Sequence, residues 1–312
     1  MTMMQARPLS ALAQARNAGR SARKAVASKA PARSLHTGGG VRCNVGGVHQ
    51  RRSFGLGGLI SSIGLIGGMS GEAMMRPGVA YAAKASAIAE VLETAEFPDT
   101  WPYTQFDLAR YDETDDAGFY TDPRFVTHID DEAIKSLTKY YETALPPSGT
   151  EDAAVLDICS SWISHYPKGY SAGKIVGLGM NAEELARNPV LSSYDVVDLN
   201  KDPKLPYDDN SFDVVTNAVS VDYLTKPKEV FAEMQRVLKP GGRAIMSFSN
   251  RCFPTKVISI WSSTGDADHV WIVGSYFHYT EGFGKPQSEE ITNPKLRGKV
   301  DPMYVVTAVK EA

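Results

Sequence analysis

From Pro147 to its end the sequence predicts an α/β fold: a doubly wound, seven-stranded, mostly parallel sheet with helices on both faces, preceded by an N-terminal helical extension. Two observations lead there. Five apolar runs of strand length, at 153–158, 174–178, 193–197, 212–219 and 243–248, alternate with helical segments, the pattern of parallel strands joined by crossover helices. Beyond them, 268–280 and 303–309 read as a final antiparallel pair of strands with 282–299 as their connection. Ligands in such sheets bind outside the carboxyl ends of the strands, where the strand order reverses. The loops that follow the strands are therefore the place to look for chemistry.

Charge divides the chain before any motif is read. Residues 1–71 hold ten Lys or Arg and no Asp or Glu. The stretch up to about residue 42 is rich in Ala, Arg and Ser, the composition of an organellar transit peptide. Arg51-Arg52-Ser53-Phe54, an apolar Gly-rich run from Gly55 to Gly71 and a small-x-small site at Ala80-Tyr81-Ala82 follow. That order resembles a twin-arginine export signal. The two together resemble the bipartite presequence of a chloroplast protein bound for the thylakoid lumen, with the stroma or a thylakoid-attached form as alternative addresses. The apolar run is short for a bilayer span and is broken by Glu72, which favours a removed signal over a stable transmembrane anchor.

On this reading 1–82 is the presequence, 83–147 the N-terminal extension and 148–312 the main domain. Removal after Ala82 would leave 22 basic against 35 acidic residues. A charge of that sign repels nucleic-acid backbones and anionic lipid heads, and nucleic acid is set aside as a partner. Cys43 falls in the presequence. Cys159 and Cys252 leave one bridge open by count, but they follow the first and fifth strands, which are not neighbours in the expected sheet. Cys and His show no zinc spacing, and no metal is expected.

The extension opens with an Ala-rich amphipathic stretch and turns aromatic and acidic through Phe97-Pro98-Asp99-Thr100-Trp101-Pro102. It is expected to wrap the core. Asp130 or Asp131 is a candidate N-cap for a helix to about Ala144, with Ile134, Leu137 and Tyr141 at helical spacing and Pro146-Pro147 ending it. Tyr120, Arg124 and His128, just upstream, are candidate pocket residues, with a packed Tyr and a satisfied His as the plainer alternative.

The most specific stretch is Leu205-Pro206-Tyr207-Asp208-Asp209-Asn210-Ser211-Phe212-Asp213-Val214-Val215, followed by 230–242, which ends in Val237-Leu238-Lys239-Pro240-Gly241-Gly242. Asp208-Asp209-Asn210 makes a turn, Phe212 begins a buried strand, and Lys239-Pro240-Gly241-Gly242 is expected to end a helix and turn into the next strand. Arg236 is placed to pair with Glu233 along that helix. Together the two segments resemble the type 11 family of class I methyltransferases, over about residues 155–250. The resemblance implies a Rossmann-like fold and S-adenosylmethionine as cofactor.

What the resemblance implies for the site follows strand by strand. After the first strand Asp157 is retained, but the family's glycine-rich loop is replaced by Cys159-Ser160-Ser161-Trp162-Ile163, so Cys159, Ser160 and Ser161 would meet the cofactor while Trp162 and Ile163 narrow the space. Asn181 stands where the family offers an acid to the ribose, and reads equally as an N-cap with Glu184 completing a capping box. Asp198 would meet the adenine amino group and Leu199 pack near the ring. Asn217, Ser220 and Tyr223 would line the pocket after the fourth strand.

Transfer of a methyl group works by proximity and orientation, with a base only where the acceptor must lose a proton. His165 is the candidate base, because imidazole titrates near neutral pH, and Tyr223 is the second catalytic candidate; a structural His and a core aromatic are the alternatives. Arg251 and Lys256, after the fifth strand, are placed to hold an anionic acceptor or to pair with the chain's acids. The function expected is a chloroplast methyltransferase acting on a small-molecule or protein acceptor. The alternative is a non-catalytic methyltransferase-like binding or assembly protein of the thylakoid lumen, favoured by the missing glycines. A nicotinamide dehydrogenase is disfavoured, since no phosphate-binding glycine fingerprint follows the first strand.

Overall fold

Seven strands hydrogen-bond into one sheet in the computed structural model, which describes residues 41–42 and 87–312. We number them β1 (Thr150–Ile158), β2 (Ala172–Gly179), β3 (Ser193–Val196), β4 (Phe212–Ala218), β5 (Leu238–Phe248), β6 (Gln287–Glu290) and β7 (Tyr304–Val309). Their order across the sheet is β3-β2-β1-β4-β5-β7-β6, with β1 to β5 parallel and β7 antiparallel to both β5 and β6. The Rossmann-like, mostly parallel seven-stranded sheet is therefore present. Chain order reverses at β1, which pairs with β2 on one side and β4 on the other.

The strands read as continuous apolar runs because both faces of the sheet are covered. Alternate residues of each strand enter different cores. Leu156, Val176, Met246 and Val306 face one cluster, and Val155, Ile175, Ile245 and Val305 face the other. Helix α1 (Ala87–Glu93), helix α5 (Pro227–Val237) and helix α7 (Asp266–His278) supply the first layer, through Leu92, Phe231 and Tyr276 among others. Helix α3 (Asp131–Ala144) supplies the second with Ala133, Leu137 and Tyr141, one face at a spacing of four. Its N-cap is Asp130, whose side chain accepts from Ala133 N–H, and the helix gives way at Leu145, before the two prolines.

Arg236 does more than pair along α5. It takes Glu233 in a bidentate grip (2.9 and 2.6 Å) and donates to Asp209 and to the carbonyls of Leu205 and Tyr207, fixing the turn that leads into β4. Lys239-Pro240-Gly241-Gly242 does not form a separate turn: α5 ends at Val237 and β5 begins at Leu238, with the register against β4 shifting between Phe212 and Val214. Gly241 absorbs the irregularity at φ +78, a conformation open to glycine at little cost.

The reading of 268–280 as a strand is wrong. Asp266–His278 is α7, with eight buried residues, including Val270, Ile272, Val273, Tyr276 and Phe277. A helix that is apolar on nearly every side shows no 3.6-residue period, and its β-branched and aromatic content imitates a buried strand. Gly274 lets α1 lie against it, since a Cβ there would sit 2.4 Å from Leu92 Cδ2. The strand that partners β7 lies inside the supposed connection: β6 is the polar Gln-Ser-Glu-Glu at the sheet edge, where charged residues discourage further pairing.

The extension packs on the α7 side through its aromatic residues. Trp101 stacks on Tyr276 at 5.8 Å, Tyr103 meets the same ring edge-on, and Tyr103 Oη lies 2.6 Å from Ser275 Oγ. Further on, the short helices α2 (Asp116–Phe119) and α6 (Ser259–Ser262) flank a buried ion cluster. Lys256, 2% exposed, lies 3.1 Å from both Asp112 Oδ2 and Asp116 Oδ1 and donates to the Thr114 carbonyl at 2.8 Å. Arg110 takes Asp116 from the other side at 2.6 Å. Burial alone would push the Asp116 carboxyl up, but hydrogen bonds from Arg110, Asn200 and Lys256 hold it below the usual carboxylate range.

Val41–Arg42, within the stretch assigned to the presequence, pair antiparallel with Arg251–Cys252. The twin-arginine motif, the apolar run, the site at 80–82 and Cys43 lie outside the described residues. Cys159 carries a free thiol and is not bridged to Cys252. No helix among the described residues is long and apolar enough to cross a membrane.

Removing Lys256 leaves Asp116 paired with Arg110 but deletes a buried cation and its hydrogen bonds. Replacement of Lys256 by Ala is expected to lower the unfolding free energy by about 1.5–3 kcal/mol, read from urea denaturation. A loss below about 1 kcal/mol would mean that the cluster does not hold the extension.

Candidate functional site

A cleft opens at the carboxyl ends of β1 to β4, at the reversal of strand order. The loops after these strands form its floor, residues 120–128 of the extension its roof, and Arg251, Phe253 and Lys256 after β5 one wall. Asp157, Cys159, Ser160, Ser161, Asn181, Asp198, Leu199, His165, Ser220 and Tyr223 all line it. Asn217 does not. It is fully buried beneath the strand ends, with Nδ2 3.4 Å from the Ile158 carbonyl, a side-chain contact to Cys159 and Oδ1 without a hydrogen-bond partner. Its position explains the miss, since Asn217 still lies within β4, flanked by β1 and β5, while Ala218 ends the strand and Val219 lies beyond it, and both reach the cleft.

Asp157 organises the first loop. Its Oδ2 accepts from Ser160 Oγ (2.6 Å) and Ser164 Oγ (2.7 Å), and its Oδ1 from Thr216 Oγ1 of β4 (2.8 Å). Burial pushes this carboxyl up while the three hydroxyls act against the shift. All these bonds are internal, so Asp157 shapes the loop and offers little to a ligand.

The loop keeps glycine-like backbone without glycine. Four non-glycine residues have positive φ among the described residues, and three of them line the cleft: Cys159 (φ 53), His165 (φ 58) and Val219 (φ 47). Such conformations cost side-chain-bearing residues about 1–2 kcal/mol, and in Val they are outliers. They cluster at sites whose geometry the surrounding structure over-determines. Gly179 shows how tight the floor is, because a Cβ there would sit 2.1 Å from the Ser160 carbonyl oxygen.

The ends of β2 and of the first loop are bound to the roof. Asn181 Oδ1 accepts from Glu183 and Glu184 N–H, capping helix α4 (Ala182–Arg187), while its Nδ2 donates to the carbonyls of Tyr120 (2.9 Å) and Thr121 (3.4 Å). The capping reading of Asn181 thus holds, and its amide is fully engaged. Glu184 does not turn back to complete a capping box. One oxygen accepts from Ser161 Oγ at 2.5 Å and the other from Arg124 N–H at 2.6 Å. Trp162 Nε1 donates to the Val126 carbonyl at 3.1 Å. Glu184 is the lining residue that sequence reasoning took for a helix cap; an acid 60 residues from its roof partner leaves no local signal.

Asp198 differs. One carboxylate oxygen accepts from Asn200 N–H at 2.9 Å, and the other has no hydrogen bond among the described residues. Leu199, 4% exposed, packs beside it. Cys159 is half-buried, and burial pushes its thiol up to about 12, which rules out a thiolate at neutral pH.

The two catalytic candidates part company. Tyr223 accepts a hydrogen bond from Phe253 N–H at 2.8 Å, and burial followed by the charge of Asp222 pushes its phenol far above the usual range. It supports Phe253, and the upward shift disfavours it as a base. His165 is 8% exposed with Nδ1 unpartnered, and burial, then the neighbouring His128, lowers it to about 4. It is a neutral imidazole in the cleft. His128 also lines the cleft, has an unpartnered Nδ1 and is lowered by burial.

Four cations border the wall after β5. Lys256 and Arg110 are neutralised in the buried ion cluster, which removes Lys256 as a ligand group. Arg124 lies over the Phe119 ring at 4.0 Å and donates to the Phe119 carbonyl, and Arg251 has only a loose contact with Asp301 at 3.5 Å.

Comparison with known proteins finds similarity to methyltransferases over part of the chain. A family model described as a methyltransferase domain matches residues 162–246. The chain is 32% identical over 121 residues to a ubiquinone/menaquinone biosynthesis C-methyltransferase of Brucella canis, a match covering 35% of this chain and 42% of that protein. It is 34% identical over 125 residues to the protein of the same name from Hahella chejuensis, covering 35% and 49%. The chain thus spans less than half the length of these relatives. An S-adenosylmethionine dependent methyltransferase structure from Mesorhizobium loti aligns with TM-score 0.37 and 17% identity, covering 56% of this chain and 98% of that one.

Cys159→Gly would relieve the left-handed backbone while removing a half-buried thiol. We expect a gain of about 1 kcal/mol in thermal or urea stability; a loss of that size would show that thiol packing outweighs the backbone strain.

Proposed function

We propose that this chain is an S-adenosylmethionine-dependent methyltransferase whose cofactor occupies the floor of the cleft. The observation that carries the reading is the uncommitted carboxylate oxygen of Asp198, at the end of the third strand and inside the segment that matches the methyltransferase-domain model. Asp198 and Leu199 would hold the adenine end, and the left-handed backbone of the first loop would approach the amino acid end. Asn181 and Ser161 fit less well as direct contacts, because their polar atoms already bind the roof and Glu184. When bound, the cofactor supplies an electrophilic methyl carbon to an acceptor lone pair as the carbon–sulfur bond breaks and its electrons stay on sulfur.

The protein's own contribution is orientation and exclusion of water. Residues 120–126 close over the cleft through Asn181, Glu184 and Trp162. Neutral His165 and His128 offer imidazole nitrogens where an acceptor must lose a proton. Similarity to ubiquinone/menaquinone biosynthesis C-methyltransferases favours a small ring-bearing acceptor over a protein.

A second reading rests on the same hydrogen bonds: with Asp157, Ser161 and Asn181 engaged internally, a non-catalytic binding or assembly protein would have this cleft too. Its address, on the composition of residues 1–82, is the chloroplast and within it the thylakoid lumen.

Titration calorimetry of the full-length chain separates the readings. Micromolar binding of S-adenosylmethionine and S-adenosylhomocysteine, weakened about tenfold or more by Asp198→Ala, is expected of the enzyme. No binding by a folded protein would leave the assembly role. For the address, sequencing the N-terminus of the chloroplast-imported form is expected to begin near Ala83, and an N-terminus upstream of Arg51 would sink the lumenal assignment.

A further inference from the structure

Four side chains converge on the Phe253 ring at the acceptor side of the cleft. Phe119 meets it edge-on at 5.4 Å, His128 edge-on at 5.3 Å, Tyr223 lies tilted at 6.0 Å, and the Arg124 guanidinium carbon is 5.4 Å from its centroid. Tyr223 also fixes the ring's backbone, through the Phe253 N–H. The wall is aromatic, rigid and positively charged.

The charge is only partly cancelled locally. Of the four cleft cations, Arg110 and Lys256 meet Asp112, Glu113 and Asp116. Among the described residues Arg124 has no acid on its guanidinium, since Glu184 takes its backbone N–H instead. Arg251 Nε forms an ion pair with Asp301 Oδ2 at 3.5 Å, too long for a hydrogen bond, and that oxygen already accepts from Asp130 N–H. The remaining N–H donors of the two guanidinium groups suit a planar carboxylate better than a neutral group.

We propose that the acceptor is a small planar molecule bearing an anionic group, with its ring against Phe253 and His128 and its anion held by Arg124 and Arg251. Neither arginine touches the Asp198 end. The inference rests on the methyltransferase reading for the word acceptor, while the binding it asserts can be measured without cofactor.

The test is calorimetric titration of the full-length protein, with and without S-adenosylhomocysteine, using matched pairs: 4-hydroxybenzoate against its methyl ester, and benzoate against benzamide. Each anion is expected to bind at least tenfold more tightly than its neutral partner. Arg124→Met and Arg251→Met should each remove most of that preference, with S-adenosylhomocysteine affinity unchanged within twofold, and Arg124→Lys should restore part of it. Circular dichroism and urea midpoints check that each variant is folded; if either Met variant unfolds, the Arg124→Lys preference and the wild-type pairs decide the matter. Equal binding of anion and neutral partner, no binding of either, or preference intact in folded Met variants would overturn the proposal. Loss of S-adenosylhomocysteine binding alone, with anion preference kept, would count against the methyltransferase reading and leave the anion site standing.

Discussion

The carboxylate of Asp157 is the point on which the cleft depends. It sits at the end of β1, beside the gap created where the strand order reverses, and joins that strand to two other pieces of chain: the following loop through Ser160 and Ser164, and β4 through Thr216. In a glycine-rich loop the backbone itself would make the turn. Here side chains force it, holding Cys159 and His165 in left-handed conformations that they would not adopt alone. The backbone strain is supported by a buried hydrogen-bond network, which is effective because all three hydroxyls point at one carboxylate in a low-dielectric interior.

The second constraint is the roof. Residues 120–128 belong to the extension, yet they are tied to the floor by Asn181, Glu184 and Trp162 and meet Phe253 after β5 through Arg124 and His128, while the preceding residues 110–116 are held to Lys256 by the ion cluster. These ties consume many of the polar groups that would otherwise face a ligand. What stays uncommitted is sparse and therefore informative: one Asp198 oxygen, one ring nitrogen on each of His128 and His165, and the Arg124 guanidinium, free of any acid among the described residues, near the Phe253 ring. A site built this way recognises its ligands with few polar contacts and with shape.

Much of the fold was legible in the sequence because its signals are local. The strand cores lie where the apolar runs lie, Asp130 caps α3 three residues before Ala133, and Pro146-Pro147 closes it. The site was partly legible, since strand-end loops gather at one edge by topology alone, and that places Cys159, Asp198, Leu199 and His165 together. The failures have physical causes. Helix α7 was hidden because burial on nearly all sides erases periodicity, and β6 because an edge strand of Gln, Ser and Glu has no apolar pattern.

The sequence by itself determined which segments are strands or helices at the centre of the sheet and which loops border the cleft, since periodicity, caps and turn residues act over a few positions. Only the tertiary structure decided which side chains in those loops remain available. Lys256 is claimed by residues some 140 positions away, Glu184 and Asn181 by a segment 60 positions away, and Asn217 by the two strands that flank it. A polar group's availability is set by what else is brought within about 3 Å of it, and only the folded chain brings those neighbours together.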